Sequence, residues 1–239
     1  MNIALKFAAV GLLAGVVGTG LGGLLGVLLR LRRAETLALA LEFVAGLMLG
    51  VVCFDLLPEA FSMAPLLTVL CGCCTGVALG AMAELTFQRG QAATLRGTGI
   101  LTSLGVAAHN LFEGLAIGAG LLVSGRLGLS LALVIGLHNI PEGVAMAAPL
   151  RGSGLSAWRA VAASCAAGLP MAAGAFLGAL LSGMTNLMVA FCLALAGGMM
   201  IFISFADLIP ASKALTARRM PSLGSIAGIL IGMLLTKLF

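Results

Sequence analysis

The sequence predicts an all-α polytopic membrane protein with eight transmembrane helices. Of its 239 residues, 61% are hydrophobic and only 9% are charged, which is more apolar surface than a soluble core of this size can bury. The apolar residues form runs close to the ~20 residues that cross a bilayer, and the connections between them are short. We therefore expect residues 1–239 to be a single transmembrane domain surrounded by lipid.

The predicted spans follow one another along the whole chain. In order, they cover residues 4–29, 38–58, 64–85, 98–122, 127–149, 157–181, 187–210 and 222–238. Glycines recur within them, as at Gly18, Gly22 and Gly26 in the first span and Gly174 and Gly178 in the sixth. Small residues let helix backbones approach closely in lipid, so these positions predict tight helix pairs.

The basic residues predict how the spans are oriented. Ten lie on one side of the predicted membrane: Arg30, Arg32, Arg33, Arg89, Arg96, Arg151, Arg159, Lys213, Arg218 and Arg219. Only Lys6, Arg126 and Lys237 fall on the other side. Lys and Arg accumulate on the cytoplasmic side, so both termini are predicted outside the cytoplasm, in the plasma membrane if the host is bacterial. This distribution accounts for the net charge of +5 without a nucleic-acid partner.

Two nearly identical motifs lie in the fourth and fifth predicted spans. They read HNLFEGLA from His109 and HNIPEGVA from His138, and they hold both histidines of the chain. Ionisable residues at membrane depth are costly and are functional by default. At 100° per residue, Glu113 lies between His109 and Asn110 around the helix axis, and Glu142 lies likewise between His138 and Asn139.

Two such helices facing each other offer two imidazoles, two carboxylates and two amide oxygens. This mixture of nitrogen and oxygen ligands favours Zn²⁺ and its first-row neighbours over Ca²⁺ or Mg²⁺. Two carboxylates also offset a divalent charge that lipid cannot solvate. The alternative reading is a static polar clamp between helices, in which each Glu bonds to a His.

An intramembrane metal-dependent hydrolase is the alternative from another functional class. Zinc proteases carry two histidines around a glutamate base, as HExxH on one helix. The chain has no such motif, and each candidate helix carries one histidine. Both glutamates are needed as ligands, so no residue is left to act as a dedicated base, and we do not expect an enzyme.

Other acidic residues lie near the ends of predicted spans. Asp55 and Glu59 fall at the outer end of the second span, where they would attract cations to an entrance. Asp207 falls near the inner end of the seventh span, where it would receive cations on exit. Glu42, near a cytoplasmic end, is expected to be an interfacial, solvated charge.

The chain also contains internal repeats. Spans 4 and 5 repeat at an offset of 29 residues, and spans 1–3 resemble spans 6–8 at an offset of 152. The informative match at the second offset is Asp55-Leu56-Leu57-Pro58 with Asp207-Leu208-Ile209-Pro210. Span 2 is predicted to run outward and span 7 inward, so this repeat is inverted. Inverted repeats about a central site are typical of alternating-access transporters.

These motifs resemble those of the ZIP (Zrt/Irt-like) metal transporters. HNLFEGLAIG and HNIPEGVAMA are similar to the family's fourth and fifth helices, and AGLMLG…DLLPEA is similar to its second. AGGMMIFISFADLIPA resembles its seventh helix, and TGLGGLLG its first. The resemblance implies a 3+2+3 arrangement, with spans 1–3 and 6–8 around helices 4 and 5. It also implies uptake of Zn²⁺, or of Fe²⁺, Mn²⁺, Co²⁺ or Cd²⁺, into the cytosol. A homodimer is one assembly compatible with the sequence.

The resemblance further implies a ligand set. His109, Glu113, His138 and Glu142 would hold the main transport site, with Met48 as a soft ligand. Asn110 and Asn139 would add an adjacent second site through the shared glutamates.

Two departures from the family bear on that second site and on the cytoplasmic end. Family members with two metals often carry a sixth-helix glutamate after a Gly-Leu pair, a place that falls near Met171 here. The second site is therefore predicted to lack a carboxylate. The seventh helix, which often ends in a proline–glutamate pair, ends here in Pro210-Ala211.

Overall fold

The computed structural model describes residues 2–29, 31, 33–87, 94–181 and 186–238. Arg30, Arg32, Arg89 and the side chain of Lys237, all part of the charge distribution above, lie outside this description. The described residues form helices and contain no β-strand. The helices are α1 (Ile3–Leu28), α2 (Ala34–Met63), α3 (Leu66–Phe87), α4 (Leu95–Val123), α5 (Gly125–Gly152), α6 (Ala157–Leu180), α7 (Asn186–Leu215) and α8 (Ser222–Leu238).

Seven of the helices in the described part of the chain, α1 to α7, are long and apolar enough to cross a membrane. α8 is apolar but shorter, with 17 residues. Large apolar side chains remain exposed along these helices, as at Leu67 and Leu85 of α3. The predicted all-α, polytopic membrane class is confirmed, while the eighth span stays a prediction.

A one-residue connection joins α4 to α5. The backbone of Ser124 is extended, with φ −157° and ψ 136°, which ends α4. Its N–H donates to the Gly120 carbonyl at 2.8 Å, and its hydroxyl accepts from the Leu127 N–H at 3.0 Å. One residue thus ends α4 through its backbone and caps α5 through its hydroxyl. So short a connection makes the two helices an antiparallel hairpin.

The helices α2 and α7 each contain a π-helical turn, at Val52–Leu56 and Ile203–Leu208. Each turn carries an aspartate, Asp55 or Asp207, and is followed by a proline, Pro58 or Pro210. Proline has no N–H to donate back along the helix, and an extra residue in the turn accommodates this loss. The two segments that match best in sequence therefore share the same local irregularity.

Glycines form several close helix contacts. A methyl group on Gly143 of α5 would overlap the Thr19 carbonyl oxygen of α1, and one on Gly114 of α4 would overlap that of Met171 in α6. Likewise, Gly46 of α2 meets α8, and Gly76 of α3 meets α7. Four of the closely packed helix pairs are thus α1 with α5, α4 with α6, α2 with α8, and α3 with α7.

These contacts follow the offsets of the sequence repeats. Gly22 of α1 meets the Ile140 carbonyl of α5, and Gly174 of α6 meets the Leu111 carbonyl of α4. The two glycines are 152 residues apart in the sequence, and their two partners are 29 residues apart. The reverse contacts obey the same rule: Gly143 with Thr19, and Gly114 with Met171. Two further pairs of contacts are related by the offset of 152 alone. The contact of Gly46 with Ser225 corresponds to that of Gly198 with Cys73, and the contact of Gly228 with Phe43 corresponds to that of Gly76 with Leu195.

We expect Gly76→Ala to lower the thermal stability of the protein. Its Cβ would overlap the backbone oxygen of Leu195, and forced overpacking typically costs about 1–3 kcal/mol. Gly125→Ala is the control, because a Cβ at this position meets nothing within 4 Å. The apparent Tm of both variants is measured in the same detergent. Equal Tm values would contradict the close contact between α3 and α7.

Candidate metal site

α4 and α5 bring the two repeated motifs together at the centre of the molecule. His109 Nε2 lies 3.2 Å from each carboxylate oxygen of Glu142. His138 Nε2 lies 3.0 Å from Oε1 of Glu113. The histidine of each helix therefore pairs with the glutamate of the other, as antiparallel helices at matched levels require.

The two pairs lie at different depths along the helices. Four residues of an α-helix rise about 6 Å, and each motif places its glutamate four residues after its histidine. The pair His138–Glu113 and the pair His109–Glu142 are accordingly two layers, about one helical turn apart. With the orientation that the basic residues predict, the layer of His138 is the outer one.

The site is closed to solvent. Relative exposure is 0% for His109, Glu113 and Glu142 and 3% for His138. Within the described structure, Glu113 Oε2 has no hydrogen-bond partner. An unpaired carboxylate oxygen in such surroundings is energetically costly, and a bound cation would satisfy it.

The two asparagines point their amide groups at the flanking helices. Asn110 Nδ2 donates to the Ala167 carbonyl of α6 at 2.8 Å, and Asn139 Nδ2 donates to the Ala14 carbonyl of α1 at 3.3 Å. Both amide oxygens are buried and have no hydrogen-bond partner among the described residues. Each asparagine therefore keeps a free oxygen ligand beside a glutamate of its own helix.

The two methionines named from the sequence are both buried. Met171 of α6 is fully buried, and its Sδ lies 3.9 Å from Asn139 Nδ2, so its thioether faces the amide of Asn139. Met48 of α2 is also buried and belongs to the same apolar cluster as Met171 and Ile117. The role of Met48 as a ligand stays a prediction.

The acidic residues of α2 extend toward the site. Asp55, half-buried in its π-helical turn, interacts electrostatically with His138. Glu59 lies one turn further along α2 and interacts with Asp55. Asp207 of α7 has a different acidic neighbour, Glu84 of α3. The sequence predicted an entrance role for Asp55 and Glu59 but not the proximity of Asp55 to His138.

The four candidate ligands His109, Glu113, His138 and Glu142 are arranged as two pairs rather than around one point. Across the described residues, no group of three or more His, Cys, Asp or Glu side chains is placed to hold one ion. The pairwise hydrogen bonds are the contacts that the static-clamp reading expects. To share one ion among three or four of these ligands, the side chains must exchange their His–Glu hydrogen bonds for metal contacts.

The expectation of a solvated Glu42 is wrong. Glu42 is 2% exposed, its Oε1 lies 2.8 Å from Lys213 Nζ, and its Oε2 accepts from the Ser225 hydroxyl. α2 begins at Ala34, before the predicted start at residue 38, so Glu42 lies two turns inside the helix. The ammonium group of Lys213 from α7 offsets the charge of Glu42 there, and the Ser225 hydroxyl from α8 donates a hydrogen bond to it.

Sequence reasoning also missed Thr102 of α4. Thr102 is fully buried, and in the described structure its Oγ1 has no hydrogen-bond partner. It precedes His109 by seven residues, which places both on one helix face. That spacing was the signal by which the sequence could have identified it.

The family model described as ZIP zinc transporter matches residues 81–239. The chain is similar to the zinc transporter GufA of Myxococcus xanthus, with 35% identity over 149 residues, which cover 62% of this chain and 59% of that protein.

Two vertebrate proteins are also similar. Zinc transporter ZIP11 of Xenopus tropicalis is 35% identical over 141 residues, 56% of this chain and 42% of that protein. Zinc transporter ZIP4 of Mus musculus is 33% identical over 119 residues, 50% of this chain and 18% of that protein. The chain thus spans about three fifths or less of the length of each of these relatives.

Proposed function

Since this chain belongs to the ZIP zinc transporter family, we propose that it moves divalent metal ions across a membrane into the cytosol. Zn²⁺ is the proposed substrate, because the relatives are named zinc transporters. Fe²⁺, Mn²⁺, Co²⁺ and Cd²⁺ are further candidates, since they are divalent ions that accept imidazole ligands.

The reciprocal His–Glu pairs of α4 and α5 are the observation that carries this proposal. His109, Glu113, His138 and Glu142 are buried together, and each histidine is already within hydrogen-bond distance of a carboxylate. Two imidazoles and two carboxylates form a donor set that suits Zn²⁺, and the two negative charges offset the charge of the ion. One tightly held ion among these four is the proposed transport intermediate.

The asparagine oxygens of Asn110 and Asn139 make a second, weaker position plausible in chemical terms. They lie on the far side of each glutamate from the histidine. The side chain next to Asn139 is the thioether of Met171, which brings no negative charge. We propose that this position contributes to transfer of the ion rather than to tight binding.

The membrane arrangement follows from the charge distribution and the helix lengths. We propose eight spans in one domain, with both termini outside the cytoplasm, in the plasma membrane if the host is bacterial. The 17 residues of α8 extend about 25 Å, slightly less than the ~30 Å hydrocarbon core, and bilayers thin locally around short spans. A homodimer stays a prediction of the sequence.

We further propose that the two halves of the chain, α1–α3 and α6–α8, surround α4 and α5 as an inverted repeat that alternates the access of the site. The glycine contacts support this, because they follow the two repeat offsets at every helix pair named above. Exchange of conformation between the repeats would open the site to one side and then to the other.

The test is metal flux into proteoliposomes that contain the purified protein. We expect Zn²⁺ to enter vesicles only when the protein is present, and Ca²⁺ and Mg²⁺ to be excluded because they prefer all-oxygen sites. Empty vesicles processed identically are the control. Vesicles that admit Ca²⁺ as readily as Zn²⁺ would contradict the proposed ligand set, and hydrolytic activity without flux would favour the hydrolase.

A further inference from the structure

A large cleft lies at the end of the molecule where α1 leads into α2 and α5 leads into α6. Its volume is about 630 Å³. Leu31, Leu37, Leu95, Ala148 and Ala157 contribute to its walls, and Arg151 is the one charged residue among the described residues that line it. The charge distribution of the sequence assigns this end to the cytoplasmic side.

This cleft is chemically unlike a route for metal ions. None of the described residues in its lining is Asp, Glu, His or Cys, and an arginine repels a divalent cation. Arg151 follows Glu142 by nine residues, so it lies about 180° around α5 from that glutamate. The cleft and the His–Glu site are therefore on different faces of the same helix.

Arg151 is held at the cleft by the turn that follows α5. Its Nη1 donates to the Leu155 carbonyl at 2.9 Å, across a turn that includes Gly154 at φ +92°. This contact uses one of the five N–H donors of the guanidinium group. A planar guanidinium with remaining donors is suited to a phosphate group.

Exposed basic residues and an interfacial aromatic residue lie close to the lining residues along the chain. Arg33, Arg96 and Arg159 are exposed and lie within two residues of lining positions along the chain. Trp158 is 77% exposed, as is typical of a tryptophan at the membrane–water interface. Glu35, the acidic residue next to the lining residue Ala34, is paired with Arg218 at 2.7 Å.

We propose that this cleft binds one anionic phospholipid of the cytoplasmic leaflet. Its phosphate would contact Arg151, and its glycerol and upper acyl chain would occupy the apolar part of the cleft. Basic pockets between transmembrane helices on the cytoplasmic side are suited to anionic head groups. The aliphatic walls distinguish a lipid from free phosphate, because inorganic phosphate gains nothing from apolar surface.

Bound lipid is measured by native mass spectrometry of protein equilibrated with phosphatidylglycerol or with phosphatidylcholine of the same acyl chains. We expect one retained phosphatidylglycerol and a several-fold preference over phosphatidylcholine. Arg151→Gln should reduce phosphatidylglycerol retention about fivefold, since one Lys or Arg near anionic lipid contributes about 1 kcal/mol.

Two further variants make the result interpretable. Arg159→Gln removes an exposed charge that is not part of the lining, and it should change phosphatidylglycerol retention less than twofold. Arg151→Lys keeps the positive charge and should keep most of the phosphatidylglycerol bound. This variant therefore tests the contact even if Arg151→Gln folds poorly. Unchanged retention in a monodisperse Arg151→Gln protein would overturn the proposal, as would equal retention of phosphatidylcholine. Displacement of the lipid by millimolar inorganic phosphate would identify a free-anion site instead.

Discussion

Glu113→Gln and Glu142→Gln are each expected to reduce Zn²⁺ flux to the background of empty vesicles. Each substitution removes one of the two negative charges beside the proposed ion. In a buried site with low effective dielectric, the electrostatic stabilisation of the ion that is lost with one charge is far larger than it would be in water. Both variants should still insert and remain monodisperse, because glutamine keeps the size of the side chain. Glu113→Ala and Glu142→Ala should be equally inactive.

Glutamine also separates transport from a static clamp. The glutamine oxygen can still accept a hydrogen bond from His109 or His138, so a static clamp would survive the substitution. If the carboxylates serve only as that clamp, Zn²⁺ flux in these variants should be normal. Glu35→Gln is the matched control: this residue is exposed and paired with Arg218, and surface ion pairs contribute little. Normal Zn²⁺ uptake by either inserted site variant would disprove the site assignment.

Met171→Glu is expected to add a second, more weakly bound metal ion, so that the number of bound ions rises from about one to about two. The Met171 sulfur lies 3.9 Å from Asn139 Nδ2, so a carboxylate here would lie beside that amide group. A third carboxylate would neutralise part of the charge that a second divalent ion brings into the site. Binding stoichiometry, or anomalous scattering from crystals of both proteins, measures the change.

Met171→Gln is the control for this substitution, because it supplies an oxygen ligand of the same length without a charge. It should leave the stoichiometry near one. The native thioether should also favour softer ions, so Met171→Glu should weaken the binding of Cd²⁺ relative to Zn²⁺. Two fully occupied sites in the unsubstituted protein would contradict this prediction. They would show that Met171 does not prevent a second ion from binding, or that another group replaces the carboxylate.

Local sequence patterns were sufficient for several features of the fold. Runs of about 20 apolar residues predicted where most helices begin and end to within a few residues. They could do so because a helix in lipid must satisfy the hydrogen bonds of its own backbone. They underestimated α2 and α7, which extend to Met63 and Leu215. The extra turns are continuous with the span through a π-helical turn and a proline, an irregularity that hydropathy does not report.

The sequence by itself determined which residues share a helix face, because the helical repeat is a local property. It placed His109 with Glu113 and His138 with Glu142. Its repeat offsets of 29 and 152 residues are the same offsets that relate the glycine contacts of the structure. Family membership was likewise visible in the paired motifs, and the family match confirms it.

Only the tertiary structure decided which groups meet across helices. The pairing of His109 with Glu142, the contact between Met171 and Asn139, and the burial of Glu42 beside Lys213 depend on helix rotation and depth. These are set by close glycine contacts that join residues far apart in the chain, such as Gly114 with Met171. A single sequence carries the periodicity of each helix but not the energy of packing one helix against another, and that packing positions the charges in lipid.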